Sequence, residues 1–106
     1  LAAASAVSAP DLVDVETVSV LRRRWLAGDL SDERFQGAVD GLLALPITRF
    51  PVGLMMVRAF ELRANITAYD ACYIALAEAL DCPLITADRR LANAPMTTCT
   101  TEVLQL

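Results

Sequence analysis

The sequence predicts an α/β domain in which helices alternate with short buried strands of a small parallel sheet. Segments with helical periodicity are separated by short apolar or β-branched runs that Pro and Gly delimit. One such run, Pro83–Thr86, is apolar on both faces, which is typical of a parallel strand. The chain has 106 residues, of which 56% are hydrophobic and 21% charged, and this composition excludes disorder. Scaling of surface with mass allows ~65% of the surface to be buried, so residues 1–106 are expected to form a single domain.

The first half of the chain is predicted to contain two helices. A Ser-x-x-Asp capping box that starts at Ser8 predicts a helix over about Asp11–Ala27, and Gly28 is expected to end it. Ser31 is the predicted N-cap of a second helix, roughly Asp32–Leu45. Together these segments predict a helical pair joined by a short turn.

The second half of the chain predicts strands and helices in alternation. Pro46–Phe50 is partly β-branched and lies between two prolines, which favours a strand, and Val52–Ala64 has helical periodicity. A second capping box from Thr67 opens a helix that extends to about Leu80, before the strand Pro83–Thr86. Asp88 is expected to cap a brief helix, and Thr97–Thr101 is predicted to form an edge strand.

The charge and residue inventory excludes several classes of function. The net charge is −4 and the sequence pI about 4.6, which excludes a protein that binds nucleic acid mainly by neutralising phosphates. The chain contains no His, so it lacks the usual general base and the commonest transition-metal ligand. Cys72, Cys82 and Cys99 are an odd number without paired spacing, and we expect them to be reduced thiols in a cytoplasmic protein. No apolar run reaches the ~18 residues of a membrane span.

Three carboxylates lie in apolar surroundings and are the candidate chemical groups. Glu16 has Leu12, Val13 and Val20 at helical spacing, and Asp70 has Tyr73, Ile74 and Ala77. Asp88 directly follows an apolar strand, at the carboxyl end where open α/β sheets bind ligands. Because buried carboxylates require a counter-charge, the pattern favours either arginine or an oxygen-ligated cation such as Mg²⁺ or Mn²⁺.

Structural interpretations of the same residues remain open at this stage. Asp70 and Asp88 can serve as helix-capping residues, and Glu16 can pair with an arginine of an adjacent helix. The run Arg22–Arg24 is typical of a solvated helix face. A contact with RNA is the less common role for such a run. The large apolar side chains are most simply core or interface residues: Trp25, Phe35, Met55, Met56 and Phe60.

Two segments of the sequence closely resemble the PIN-domain family, and in particular its VapC-type toxins of bacterial toxin–antitoxin pairs. The first is the block of residues 66–80, with its AYDA and ALAE motifs, together with the LITADRRL run at 84–91. The second is the P…E…LRR pattern of residues 10–23. By this resemblance, the family's two C-terminal aspartates correspond to Asp70 and Asp88, and its helical glutamate to Glu16.

The resemblance implies both a fold and an activity. The implied fold is a three-layer α/β/α arrangement with a short parallel sheet, and the implied activity is Mg²⁺- or Mn²⁺-dependent cleavage of single-stranded or structured RNA. Asp70 and Asp88 would then be metal ligands, with Glu16 a further ligand or a group that orients water. Thr86, Arg89 and Arg90 are the candidate RNA contacts. A cognate antitoxin and a homodimer are the implied partners, and Val52–Phe60 is the expected apolar contact surface.

One departure from the family pattern bears on function. The family has a first, central strand that carries another aspartate, and no acidic residue precedes Asp11 here. We therefore expect this chain to be N-terminally incomplete, with that strand missing. The alternative function is a catalytically incomplete binding module that only associates with an antitoxin or with itself. A housekeeping nuclease that processes rRNA or tRNA has the same sequence signature.

Overall fold

A computed structural model describes residues 7–86 and 101–103, with backbone only at 85–86 and 101–103. The chain divides between Phe50 and Pro51 into two compact units. Each unit contains a two-stranded parallel sheet and helices. This composition confirms the predicted α/β class.

The first unit contains two strands and two helices. Strand β1 is Val7–Pro10 and strand β2 is Ile47–Phe50, and they pair in parallel with Val7 opposite Ile47. Between them lie helix α1, Leu12–Leu26, and helix α2, Asp32–Ala44. The chain thus passes from β1 to its neighbour β2 through a helical pair.

The second unit begins with a short 3-10 helix, Val52–Met55, which leads into helix α3, Met56–Glu61. Helix α4 is Ala68–Leu80. Strand β3, Leu84–Thr86, pairs in parallel with strand β4, Thr101–Val103. The register of this pair places Leu84 opposite Thr101.

The helix begins at Leu12, close to the predicted Asp11, but the predicted capping box at Ser8 is wrong. Ser8 lies in β1, where it is paired with Thr48, and the N-cap of α1 is Asp11 without a side-chain capping bond. The backbone N–H of Asp11 instead donates to the Phe50 carbonyl at 2.8 Å, which extends the β1–β2 ladder by one step. Pairing with a distant strand therefore prevails over the local capping pattern. Strand β1 carries no carboxylate. It is therefore not the aspartate-bearing strand of the family pattern, and a further strand upstream that carries this aspartate stays a prediction.

Three other helix boundaries follow the sequence signals. The Ser31 hydroxyl accepts the Arg34 N–H at 3.1 Å, and the Thr67 hydroxyl accepts the Asp70 N–H at 3.2 Å. Gly28, with φ of +85°, follows the end of α1 and supplies the left-handed conformation that L residues rarely adopt. The predicted caps and the predicted stop are confirmed at these positions.

The predicted long helix over Val52–Ala64 is shorter and divided. It begins as a 3-10 helix in which the Leu54 N–H donates to the Pro51 carbonyl, and its α-helical part ends at Glu61. The chain then turns so that Leu62 and Ile66 both enter the core of this unit. Burial of these two side chains decides where the helix ends.

The principal apolar core of the described residues lies in the second unit. It joins α3, the turn after it, α4 and β3 through Ala59, Leu62, Ile66, Ala71, Ile74, Ala77 and Leu84. Leu62 is 1% exposed and Ile74 0%. Of the large apolar residues that the sequence assigned to a core or an interface, Met55 is buried, whereas Trp25, Met56 and Phe60 are exposed.

Two further predictions concern features outside this core. No helix among the described residues has the length and apolar content needed to cross a membrane. Cys72 is buried and Cys82 is exposed, and Cys99 lies outside the described residues, so the reduced state of the three thiols stays a prediction. The predicted edge strand at Thr97–Thr101 is described only from Thr101, where β4 begins.

Candidate active site

Asp70 lies in the first turn of α4, at the edge of the apolar core. Its backbone N–H is bound by Thr67, so capping uses the amide of this residue and leaves its carboxylate available. The carboxylate is half-buried, and Ile74 and Ala77 behind it on the same helix are buried. No described side chain donates a hydrogen bond to it. Its oxygens are of the type that hard divalent cations prefer as ligands.

Glu16 lies in the second turn of α1 and is half-buried. The apolar stripe that surrounds it is less enclosed than its helical spacing predicts, since no residue of α1 is fully buried and Val20 is 47% exposed. The cost of desolvating this carboxylate is correspondingly smaller than full burial would impose. Glu16 is therefore placed on a partly solvated helix face.

The remaining predicted site residues are described in part or not at all. Thr86 is the last residue of β3, which the sequence predicted as a strand. Asp88, Arg89 and Arg90 follow it and lie outside the described residues, as does the short helix predicted after Asp88. Glu16 belongs to the first unit and Asp70 to the second. That Glu16, Asp70 and Asp88 form one site stays a prediction.

The chemistry of these side chains fits a hard divalent cation. All three are carboxylates, and oxygen ligands are those that Mg²⁺ and Mn²⁺ prefer. Within residues 7–86, no group of three or more Cys, Asp or Glu side chains is close enough to hold a metal ion. The described part of the chain thus contributes at most part of a ligand set, and Asp88 is the predicted completion.

Arg49, which was not predicted as a site residue, binds the helix of Glu16. The Nε of Arg49, in β2, donates to both carboxylate oxygens of Asp14, at 2.8 and 3.0 Å. Its Nη2 donates to the Leu42 carbonyl at 2.8 Å and its Nη1 to the Ile47 carbonyl at 3.3 Å. The available signal was an arginine within an otherwise apolar or β-branched strand, a position where a charged side chain requires a partner.

A second arginine–carboxylate pair lies in the second unit. Arg58 of α3 binds Glu78 of α4 through two parallel hydrogen bonds, of 2.8 and 3.0 Å, and also contacts Glu61. The bonds to Glu78 are the main reason that the pKa of the Arg58 guanidinium is raised above its ordinary value, against the opposing effect of burial. Arg58 therefore stays charged throughout the neutral range and joins α3 to α4.

Each unit exposes apolar side chains. A groove of about 560 Å³ runs along α1 and α2, where Trp25 and Phe35 pack with ring centroids 6.3 Å apart. The Trp25 Nε1 donates to Asp32 at 2.7 Å. On the 3-10 helix and α3, the side chains of Leu54, Val57 and Phe60 are 63–76% exposed. The segment predicted as a contact surface therefore does expose apolar side chains.

Comparisons with known proteins agree with this architecture. The family model described as PIN domain matches residues 1–95. Ribonuclease VapC9 of Mycobacterium tuberculosis is 44% identical over 110 residues, which cover 98% of this chain and 82% of the relative. Two further ribonucleases of that organism, VapC1 and VapC12, are 41% and 40% identical over 99 and 88 residues. Those alignments cover 92% and 83% of this chain, and 74% and 68% of the relatives.

Proposed function

Because this chain belongs to the PIN-domain family, within its VapC-type ribonucleases, we propose that it is the toxin of a toxin–antitoxin pair and a Mg²⁺- or Mn²⁺-dependent endoribonuclease. The observation that carries the proposal is Asp70, a half-buried carboxylate at the start of α4 whose capping role is taken by its amide. It lies within the segment that resembles the family motif. RNA as substrate implies action in the cytoplasm.

The proposed metal ligands are Asp70, Asp88 and Glu16. When bound, the cation would lower the pKa of an attacking water and stabilise the leaving oxygen of the phosphodiester. The protein's own contribution is to hold the ligands rigidly. Asp70 is fixed by the capping bond that its backbone N–H donates to the Thr67 hydroxyl and by the core behind it. Glu16 is positioned by its place on α1.

The RNA contacts are proposed to lie beside Asp88. Thr86 supplies a hydroxyl at the end of β3, and Arg89 and Arg90, which follow Asp88 in the sequence, supply positive charge. With a net charge of −4, the chain attracts RNA only where such charges are concentrated. We expect these contacts to position the phosphate rather than to read the base sequence.

The decisive experiment measures RNA cleavage by full-length protein carrying Asp70→Asn or Asp88→Asn. We expect each substitution to reduce the Mn²⁺-dependent rate by more than about 100-fold, because a ligand contributes at least as much as its outer-shell partners. Apo stability should hold or rise, since removal of one charge from a carboxylate cluster relieves repulsion. Asp40→Asn is the matched control, because Asp40 is exposed on α2 and accepts only the Gln36 amide among the described residues.

Three outcomes separate the proposed function from its alternatives. Cleavage at the wild-type rate by either variant would refute the catalytic assignment. Unfolding of Asp70→Asn would show that the carboxylate has a structural role, since the variant keeps the backbone N–H that Thr67 accepts. Absence of cleavage by the wild-type protein, with retained binding to an antitoxin, would support the catalytically incomplete binding module.

The proposed partners are a cognate antitoxin and a second copy of this chain. A carboxylate cluster of this kind can accept an arginine from an antitoxin, and Val52–Phe60 supplies an apolar surface for a dimer. Light scattering on purified protein should therefore give a dimer mass. A monodisperse monomer at high concentration would refute the dimer.

A further inference from the structure

We propose that Arg49 is a positioning residue for the candidate metal site, and that it acts by fixing the first turn of α1 and thereby Glu16. The inference rests on the proposed function, in which Glu16 is a metal ligand. It concerns residues that all lie in the first unit. No direct contact between Arg49 and a metal or substrate is involved.

The first step is the geometry of the Arg49 contacts. The guanidinium binds Asp14 in the first turn of α1, and it also satisfies the carbonyl of Leu42 near the end of α2. Its third partner is the Ile47 carbonyl in its own strand. One side chain therefore ties β2 to both helices of the unit.

The second step is that the contacts described at the N-terminal end of α1 are directional, whereas Trp25 packs against Phe35 at the other end of the helix. None of its residues is fully buried, so its position relative to the sheet is not set by an apolar core. The backbone bond from the Asp11 N–H to the Phe50 carbonyl fixes where the helix begins. The Arg49–Asp14 pair, with side chains 21% and 26% exposed, fixes its first turn.

The third step connects this pair with Glu16. Asp14 and Glu16 are two positions apart in one helix, so a shift of the first turn moves both residues together. Metal ligands must be held within about 0.5 Å of their productive geometry, and the groups that hold them affect affinity strongly. A residue that orients the ligand-bearing helix is therefore expected to affect metal binding without contact.

The test compares Mn²⁺ affinity, measured by titration calorimetry, in full-length proteins carrying Arg49→Gln or Arg49→Lys. We expect Arg49→Gln to weaken Mn²⁺ binding by about 10-fold to 100-fold. Arg49→Lys keeps the charge but loses the branched donor geometry, so we expect a smaller loss in the same direction. If Arg49 acted only through its charge, Arg49→Gln would strengthen Mn²⁺ binding, and that result would overturn the proposal.

Arg58→Gln is the matched control, because Arg58 forms a similar pair with Glu78 in the other unit. This pair also contacts the helix of Asp70, but the apolar core holds α4 through Ala71, Ile74 and Ala77 without it. It should lower the melting temperature without changing Mn²⁺ affinity. Equal affinity losses in Arg49→Gln and Arg58→Gln would show a general effect of stability and overturn the proposal. If Arg49→Gln does not fold, Arg49→Lys supplies the same readout.

Glu16→Gln separates failure of this inference from failure of the proposed function. If Glu16→Gln weakens Mn²⁺ binding and the Arg49 variants do not, Glu16 is a ligand and the positioning role is refuted. If Glu16→Gln has no effect on Mn²⁺ affinity, its ligand role fails and the positioning role fails with it. A double variant, Glu16→Gln with Arg49→Gln, should bind no more weakly than Glu16→Gln alone, since both substitutions act through one ligand.

Discussion

Helix α1, which carries Glu16, has no fully buried residue among its 15, whereas helix α4, which carries Asp70, buries six of its 13. The first is held to its unit by directional contacts, chiefly the Asp11 backbone bond and the Arg49–Asp14 pair. The second is held by an apolar core, in which many contacts share the stabilisation. Loss of one contact should therefore displace α1 more readily than α4, although loss of core volume should cost more free energy.

The largest effect is expected from Ile74→Ala. Ile74 is fully buried in the core behind Asp70, so its truncation removes apolar burial and leaves a cavity. We expect the free energy of unfolding to fall by about 2–5 kcal/mol, as measured by urea denaturation. Val15→Ala on α1 is the control, because Val15 is 72% exposed and should change stability by less than about 0.5 kcal/mol. Similar losses in the two variants would contradict the contrast between the helices.

An intermediate loss of unfolding free energy is expected when either arginine–carboxylate pair is removed. The loss should be larger for Arg49 in the first unit than for Arg58 in the second. Arg49→Met leaves the Asp14 carboxylate without this donor and removes one donor from the Ile47 and Leu42 carbonyls, of which Leu42 keeps the Leu45 N–H. A buried polar group that loses its partner costs about 1–3 kcal/mol. Partial solvation of this site places the total near the lower end, about 2 kcal/mol.

Arg58→Met leaves the Glu78 and Glu61 carboxylates without this donor, and Glu61 is itself exposed. We expect a loss of about 1 kcal/mol, measured by the same denaturation experiment. The raised pKa of Arg58 means that its stabilising effect is present below its ordinary pKa and lost only at pH above its raised value. The arginine itself should therefore cause no change of stability with pH in the neutral range. A larger loss for Arg58→Met than for Arg49→Met would reverse the comparison.

The smallest effect on stability is expected from the two helix caps. They sharpen the comparison of the two units because each unit contains one cap of the same kind. Ser31→Ala on α2 and Thr67→Ala on α4 each remove one hydroxyl acceptor from a backbone N–H. Each should cost about 1 kcal/mol in thermal or urea denaturation. Only Thr67→Ala should also reduce RNA cleavage, because Thr67 fixes the turn that carries Asp70. Equal activity of the two variants would argue against Asp70 as a ligand.

Much of the fold could be predicted because its signals are local. The hydroxyl caps at Ser31 and Thr67, the left-handed turn at Gly28 and the apolar strand at 84–86 each depend on residues within one turn or strand. Within the candidate site, the sequence predicted both the position of Asp70 at the start of a helix and the apolar side chains that follow it on that helix. Glu16 could be placed on its helix, but its exposure could not, because that depends on what packs against the helix.

By itself, the sequence determined the helix limits marked by caps and glycine, the α/β class and the PIN-domain family, since these depend on local backbone preferences and on motifs. Only the tertiary structure decided that Val7–Pro10 pairs with Ile47–Phe50 as a strand, although Ser8 forms a local capping pattern. It also decided that Arg49 binds Asp14, 35 positions away. The physical reason is the same in both cases, because backbone and charged groups remote in sequence find partners only when the chain folds.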